Sequence, residues 1–383
     1  MDIAPSIPER DLGARVSEAI ILLITFGLCL LGLIALYSIG RAPGNRSTEL
    51  LNKQIVWMVI SMGAMWVTTR LRFDRLREFI WIIGGVCLLL LVLVLIPGIG
   101  LKVNGARRWI DLGVMNMQVS DFAKIGFVFV FAHFLAKNAR KQATFVFGYL
   151  IPCCIIGVAS GLVILQPDFG TAALFGAVGG LMLFLAGARL FYLIASGLCA
   201  IGLFSIMVML DPVRLDRVVS FMDLEGTKSD GGYQLWQGII GFGVGGVQGI
   251  GIGNGRQALS FLPEAHTDFI FAVIGEELGM VCTIGVVAAF VVFFIVVVLQ
   301  LRKAPNLYEF LLVIGSLGFI LIQALVNFGV VTGLLPTKGM SLPFISYGGS
   351  NLLAMGIFVG IILNCIREWS QGLAKTCARD IDN

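Results

Sequence analysis

The sequence predicts an all-α polytopic membrane protein, a bundle of about ten transmembrane helices with one large extracytoplasmic loop between helices 7 and 8. Three observations predict it. Of 383 residues, 58% are hydrophobic and 13% are charged, where an ordinary soluble domain carries about 25% charged residues. Mean hydropathy is +0.94, more apolar surface than a soluble chain of this length can bury. The apolar residues also come in runs of about 20, the length at which a helix crosses a ~30 Å hydrocarbon core. Such runs are too long and too uniform for barrel strands, which alternate over ~10 residues.

The spans fall near 18–40, 54–69, 78–97, 118–136, 145–165, 170–187, 190–210, 269–300, 310–333 and 347–366. Residues 1–17 are polar and mixed in charge and read as a cytoplasmic N-terminal tail. The apolar run after them has no small-residue cleavage site before the next loop, so it reads as the first membrane helix and not as a cleaved signal. Residues 18–366 form the transmembrane domain and 367–383 a cytoplasmic C-terminal tail.

Orientation follows from Lys and Arg in short loops. With the N-terminus inside, the inner segments hold Arg10, Arg15, Arg70, Arg72, Arg75, Arg77, Lys137, Arg140, Lys141, Arg189, Arg302, Lys303, Arg367, Lys375 and Arg379. The outer segments hold fewer over longer stretches, so both termini are placed in the cytoplasm. That leaves 211–268 as the large outer loop. Its first part is polar. Its second, Tyr233 to Gly253, is semi-apolar and glycine-rich, a poor spanning helix and a better interfacial or re-entrant segment. No repeat of fixed period and no interdomain linker is visible.

The net charge of +4 is scattered between apolar runs and forms no patch, which argues against nucleic acid. The cysteines lie almost all inside apolar runs and form no CxxC pair, so they read as small core residues rather than disulfide or zinc ligands.

Ionisable groups close to a membrane each need a reason. The densest cluster is Pro263-Glu264-Ala265-His266-Thr267-Asp268, directly before the eighth span. Asp268 reads either as the N-cap of that helix or as a general base at the membrane surface beside His266. Gly275 and Gly279 give the helix a small-residue face. Glu276 and Glu277 lie about 12–14 Å deeper at 1.5 Å per residue, where a carboxylate must pair or be protonated. Arg107, Arg108 and Trp109 read as interfacial anchors or as pyrophosphate contacts. Asp121 and Lys124, at i and i+3, read as an intrahelical ion pair, and His133 as a satisfied interhelical histidine. Gln166-Pro167-Asp168-Phe169-Gly170 reads as a tight hairpin whose Asp168 can also face a central cavity. Between spans nine and ten, Lys338 is the lone cation, and Ser346 and Ser350 sit near a helix start as caps or anion ligands. Gly249 to Gly255 has no preceding strand, which excludes a dinucleotide fingerprint.

Together these blocks resemble the SEDS family, the group that includes FtsW, RodA and SpoVE. The resemblance runs from about residue 18 to 367 and rests on NGARRWIDLG, the Asp121 and Lys124 pair, LQPDFGTA, the GYQ near 231–234, FLPEAHTDFIFAVIGEELG and LPTKGMSLPFISYGGSNL. The PEAHTD block and the setting of Lys338 look more like the division-type branch than the elongation-type branch. The chain departs from the family's pattern at Val119-Ser120-Asp121, where Pro-Ser-Glu is usual, at Gln237 for a serine, and at Asn351 for the second serine of GGSS.

The resemblance implies a peptidoglycan glycosyltransferase that polymerises lipid II at the outer face of the bacterial inner membrane, at the division septum. Its essential aspartate lands on Asp268, as base. Arg107, Arg108, Lys338, Glu264, His266, Asp168, Ser346 and Ser350 are the candidate substrate contacts, and Asp121, Lys124, Glu276 and Glu277 the structural set. It also implies a class B penicillin-binding protein and other divisome proteins as partners. A divalent cation, Mg2+ or Mn2+, is a candidate cofactor, with no organic cofactor expected. Two rivals stay open: a lipid II flippase, and a non-catalytic scaffold for a transpeptidase.

Overall fold

A computed structural model of the chain describes residues 12–40, 47–103, 106–111, 116–142, 144–227, 231–256 and 262–381. The helices run as α1 (Leu12–Ile39), α2 (Ser47–Thr68), α3 (Phe73–Leu76), α4 (Ile80–Leu93), α5 (Val119–Lys137), α6 (Ile151–Leu165), α7 (Phe169–Leu185), α8 (Leu190–Met209), α9 (Pro212–Met222), α10 (Tyr233–Gly245), α11 (Ile270–Leu301), α12 (Leu307–Val331) and α13 (Gly349–Ile381). Among the described residues, nine helical stretches are long and apolar enough to cross a membrane, and α7, at 17 residues, is a shorter tenth. Each overlaps a span expected from hydropathy. The ends shift where polar residues extend a helix past its apolar run, as at Leu12 in α1 and Ser47 in α2.

Helices α5, α12 and α13 form the centre, with most of their spans buried, while α8 has no buried residue. Aromatic rings fill the middle. Phe127 meets Phe175 edge-on at 5.1 Å, and Phe319 stacks on Phe358 at 5.5 Å. α13 runs close along α2 because glycines face it. A Cβ on Gly349 would fall 1.9 Å from the Trp57 ring, and one on Gly356 2.2 Å from the Ser61 hydroxyl. Ser61 donates to the Leu352 carbonyl at 2.7 Å, so close approach and an interhelical hydrogen bond reinforce each other.

At one end of the bundle, β1 (Gly100–Val103), β2 (Ala106–Asp111) and β3 (Asn116–Gln118) form a small antiparallel meander in the order β1-β2-β3. At the same end the glycine-rich segment after α10 turns back into the bundle. Gly249, Gly251 and Gly253 take positive φ, which costs glycine nothing. The N–H groups of Ile250 and Gly251 donate to the carbonyls of Glu276 and Glu277 at 3.1 and 3.0 Å.

Those carbonyls can accept because α11 is broken. Gly279 sits at φ 74, ψ −175, and across the break Met280 N–H donates to the Gly246 carbonyl at 2.9 Å. The eighth span is therefore two helical pieces and not the continuous helix that its uniform hydropathy suggests. Gly279 does not present a face to a neighbouring helix. It admits backbone, since a Cβ there would lie 2.3 Å from the Gly249 nitrogen.

Two smaller expectations also need correction. Cys29 and Cys365 are buried, but Cys154 and Cys199 are exposed on the surface of the bundle, and all seven described cysteines are free. His133 is not satisfied. Its buried Nδ1 has no hydrogen-bond partner, and its ring sits edge-on between Trp81 and Tyr308.

Candidate active site

Four segments meet at the meander end of the bundle: β2, the turn before α7, the turn before α11 and the loop from α12 to α13. The turn before α11 is closed by its own backbone. The Glu264 carbonyl accepts from the N–H of Thr267 at 3.1 Å and of Phe269 at 3.4 Å, with Glu264 itself at φ 54. Phe269, not Asp268, is the N-cap residue of α11, and no side chain caps it. The capping reading of Asp268 is thereby corrected. Backbone contacts already close the turn, so the carboxylate is not needed there. Among the described residues it accepts no hydrogen bond.

Other groups hold Asp268 in place. The Asn327 amide on α12 donates to the Asp268 carbonyl at 2.8 Å and to the Met340 carbonyl at 2.7 Å. Ser346 donates to the Thr267 carbonyl at 2.6 Å and accepts from Leu342 N–H at 2.7 Å. Tyr347 N–H donates to the His266 carbonyl at 2.9 Å, and the two rings lie 5.8 Å apart. The turn is thus sewn to the 338–347 loop, and the carboxylate faces Gly339. A Cβ at Gly339 would come within 2.8 Å of Asp268 Oδ2.

This setting raises the Asp268 pKa to about 7. Burial is the main cause, followed by the carboxylates of Glu264 and Asp168, with Arg217 opposing. One residue along from Gly339, Lys338 is pushed the other way, to about 8, by burial and by Arg108, Arg217 and Arg214, against Asp168. Gly170 makes room for it, because a Cβ there would lie 2.9 Å from Lys338 Cε.

Asp168 caps α7, accepting from the Thr171 N–H at 3.2 Å and hydroxyl at 2.9 Å. Arg108 Nη1 stands 3.9 Å from it, and the Arg108 guanidinium also donates to the carbonyls of Gln166 and Pro167. The β1–β2 register slips between Leu101 and Lys102, so that Arg108 lies unpaired between Arg107, opposite Lys102, and Trp109, opposite Leu101. Such a bulge re-aims a side chain, and Arg108 is the one directed to this cluster. The site gathers Asp268, Glu264, Asp168, Arg108 and Lys338, with His266 on its rim. Ser346 and Ser350 are placed differently. Ser350 accepts from Gln118 N–H at 3.0 Å, so both hydroxyls join segments of the protein to each other.

Below the site, Lys124 meets Asp121 at 2.8 Å, both almost fully buried, and donates to Gln323 at 3.2 Å. Gln323 in turn donates to the Ser341 carbonyl at 2.8 Å and to Asn351 at 3.0 Å. This ladder supports the 338–342 loop from beneath. Glu276 and Glu277 of α11 hold the re-entrant segment, Glu276 accepting from Arg256 N–H at 2.9 Å and Glu277 from Gly253 N–H and from Ser38 at the end of α1. Sequence reasoning missed Asn327, Gln323, Arg214 and Arg217. An uncharged polar residue inside an apolar span was the available signal for the first two.

Among the described residues no group of three or more His, Cys, Asp or Glu side chains is placed to hold a metal ion. The described donors do not by themselves form a dedicated cage for Mg2+ or Mn2+.

The family model described as "Cell cycle protein", covering FtsW, RodA and SpoVE, matches residues 18–371. The probable peptidoglycan glycosyltransferase FtsW of Coxiella burnetii is 37% identical over 358 residues, covering 92% of this chain and 96% of its own. Stage V sporulation protein E of Bacillus subtilis is 34% identical, over 91% of this chain and 97% of its own. Among solved structures, a chain from work on the structural coordination of polymerization and crosslinking by a peptidoglycan synthase complex superposes with TM-score 0.75 at 27% identity, covering 91% of this chain and 97% of its own. The rod shape determining protein RodA of Thermus thermophilus superposes at 0.68 with 26% identity, covering 91% and 96%.

Proposed function

Since the chain belongs to the FtsW, RodA and SpoVE family of cell cycle proteins, we propose that it is a peptidoglycan glycosyltransferase acting on lipid II, with its active site at Asp268. The observation that carries the assignment is a carboxyl raised to about 7 and facing a loop that bears a cation. A base is most effective when its pKa lies near the working pH, and such catalysis contributes roughly 10²–10⁴ in rate.

In the proposed reaction, the 4-hydroxyl oxygen of the acceptor's terminal sugar attacks the anomeric carbon of the donor. The new C–O bond forms as the bond from that carbon to the pyrophosphate oxygen breaks. Asp268 takes the hydroxyl proton, and polyprenyl pyrophosphate leaves with the electron pair. Arg108 and Lys338 meet the charge that develops on the leaving oxygens. Asn327, Ser346 and Gly339 keep the base at a fixed distance from Lys338, which is the positioning contribution. A divalent cation would arrive on the pyrophosphate, because the described side chains alone do not cage one.

The Lys and Arg distribution supports placing this end of the bundle outside the bacterial cytoplasmic membrane, with both termini inside. Relatives named FtsW support a role at the septum. The similar chain from a complex that coordinates polymerization with crosslinking supports a class B penicillin-binding protein as partner. Glycan polymer formed from labelled lipid II by the purified chain with that partner tests the assignment. Lipid II translocation across vesicles without polymer would favour the flippase instead.

A further inference from the structure

We infer that the face of α9 opposite Arg214 carries a calcium site, held by Asp216 and Ser220, with Asp223 one turn further on. The inference does not depend on Asp268 acting as a base. It concerns the large outer loop itself.

Asp216, Ser220 and Asp223 stand at i, i+4 and i+7, so they share one stripe of α9. Helical geometry reaches Asp223, whose N–H still donates to the Val219 carbonyl at 2.9 Å. Arg214 lies on the other side, over the Phe169 ring at 3.7 Å, with its Nε paired to Asp211 at 2.9 Å. After α9 the chain doubles back over the acidic stripe. The Thr227 hydroxyl donates to the Asp223 carbonyl at 2.7 Å, and Gly232 N–H donates to the Thr227 carbonyl at 3.0 Å. This return lays Gly231 on the helix. A Cβ there would fall 2.4 Å from Ser220 Oγ and 2.7 Å from Asp216 Oδ2, so the two oxygens converge to within about 5 Å of each other.

Both oxygens lack a partner. Ser220 is 2% exposed, and its Oγ makes no hydrogen bond. A helical serine ordinarily donates back to the carbonyl four residues earlier, and this one does not. Among the described residues, Asp216 makes no side-chain hydrogen bond or ion pair, while Asp211 takes Arg214 and Asp223 accepts from Gly226 N–H at 3.0 Å. A buried hydroxyl left unpaired is costly, and one aimed at the place a carboxylate faces suits a shared cation. Oxygen-only donors select a hard ion. Calcium accepts irregular sets of six to eight oxygens at about 2.3–2.6 Å, waters among them, whereas magnesium demands a near-ideal octahedron. With two carboxylates at most, the site is weak, with a Kd of roughly 10⁻⁴–10⁻³ M, the range of extracellular modules. Calcium bound here fastens the returning chain to α9 and fixes the helix whose other side holds Arg214 against Phe169.

The full chain, stripped with chelator, is placed in neutral phosphatidylcholine nanodiscs without lipid II and titrated with calcium chloride. Hydrogen exchange of the backbone over 212–232 is followed, with potassium chloride at equal ionic strength as control. The expected result is saturable slowing of exchange in that segment at roughly 10⁻⁴–10⁻³ M calcium. Asp216→Asn should need about tenfold more calcium or higher, since affinity follows the charge of the ligands, and Ser220→Ala should need severalfold more. Should Asp216→Asn fail to fold, Ser220→Ala decides in its place. Parental calcium affinity in the folded variant would overturn the inference. So would slowing that potassium reproduces, or calcium protection that appears around Asp268 and Asp168 and not over 212–232. No substrate is present, so failure of the glycosyltransferase reading would show separately, as absence of polymer.

Discussion

Replacing Asp268 by Asn should stabilise the protein in a pH-dependent way. A carboxyl whose pKa rises from 3.8 to about 7 on folding carries a penalty in the native state once it is ionised, about 4 kcal/mol at 1.36 kcal/mol per pKa unit. The unfolded chain loses this proton near 3.8 and the folded chain near 7. Between those values the folded state binds more protons, so the stability tied to this group falls as pH rises and levels off above about 7. Asn carries no charge at any pH and escapes the penalty. The gain from Asp268→Asn is then about 1.5 kcal/mol at pH 5 and about 4 at pH 8. The side chain keeps partial access to solvent, so about 4 kcal/mol is a ceiling. Thermal unfolding of both proteins in detergent at pH 5 and pH 8 reads the difference. An equal shift at the two pH values would refute the reasoning, as would an Asn variant less stable at pH 8. An active carboxylate maintained at a cost to stability is the usual trade-off at a catalytic site.

The same two shifts set the pH profile of kcat/KM. It should rise through about 7 as Asp268 ionises and fall above about 8 as Lys338 loses its proton, and Lys338→Arg should remove the falling limb. Asn327→Ala strips donors from two carbonyls, those of Asp268 and Met340. It should cost roughly 2–4 kcal/mol of stability by thermal unfolding and lower kcat with little change in KM, because the base moves and the substrate contacts stay. Lys124→Met leaves Asp121 charged and buried and should cost roughly 3–5 kcal/mol. The double variant Lys124→Met/Asp121→Asn should recover part of that loss, as a double-mutant cycle would show.

The membrane bundle was legible because hydropathy reports it directly, and the ends of α1 and α2 shifted only where polar residues prolong a helix. The break at Gly279 was not legible. It lies inside a uniformly apolar run, and only its contact with the distant Val247–Gly249 backbone explains it. The meander was missed because strands of four, six and three residues leave too short an alternation to read. Asp268 stood out by its place beside a span, yet its neighbours come from three other parts of the chain. Arg217 is 51 residues before it, Lys338 is 70 after it, and Asp168 precedes it by 100. No local pattern links them. The cysteines misled for a different reason: in a membrane, apolar surroundings do not distinguish the core from the lipid-facing surface, where Cys154 and Cys199 lie.

The central claim is that the Asp268 carboxylate takes the acceptor's proton. It is tested most directly by polymerisation of labelled lipid II at pH 7.5 by the chain with the proposed transpeptidase partner, comparing the parent with Asp268→Asn and Asp268→Glu, each confirmed folded by thermal unfolding. The account predicts long glycan strands from the parent, a rate lower by roughly 10²-fold or more for Asn, and partial activity for Glu, whose longer carboxylate can still accept a proton. Polymer from folded Asp268→Asn at the parental rate would contradict it.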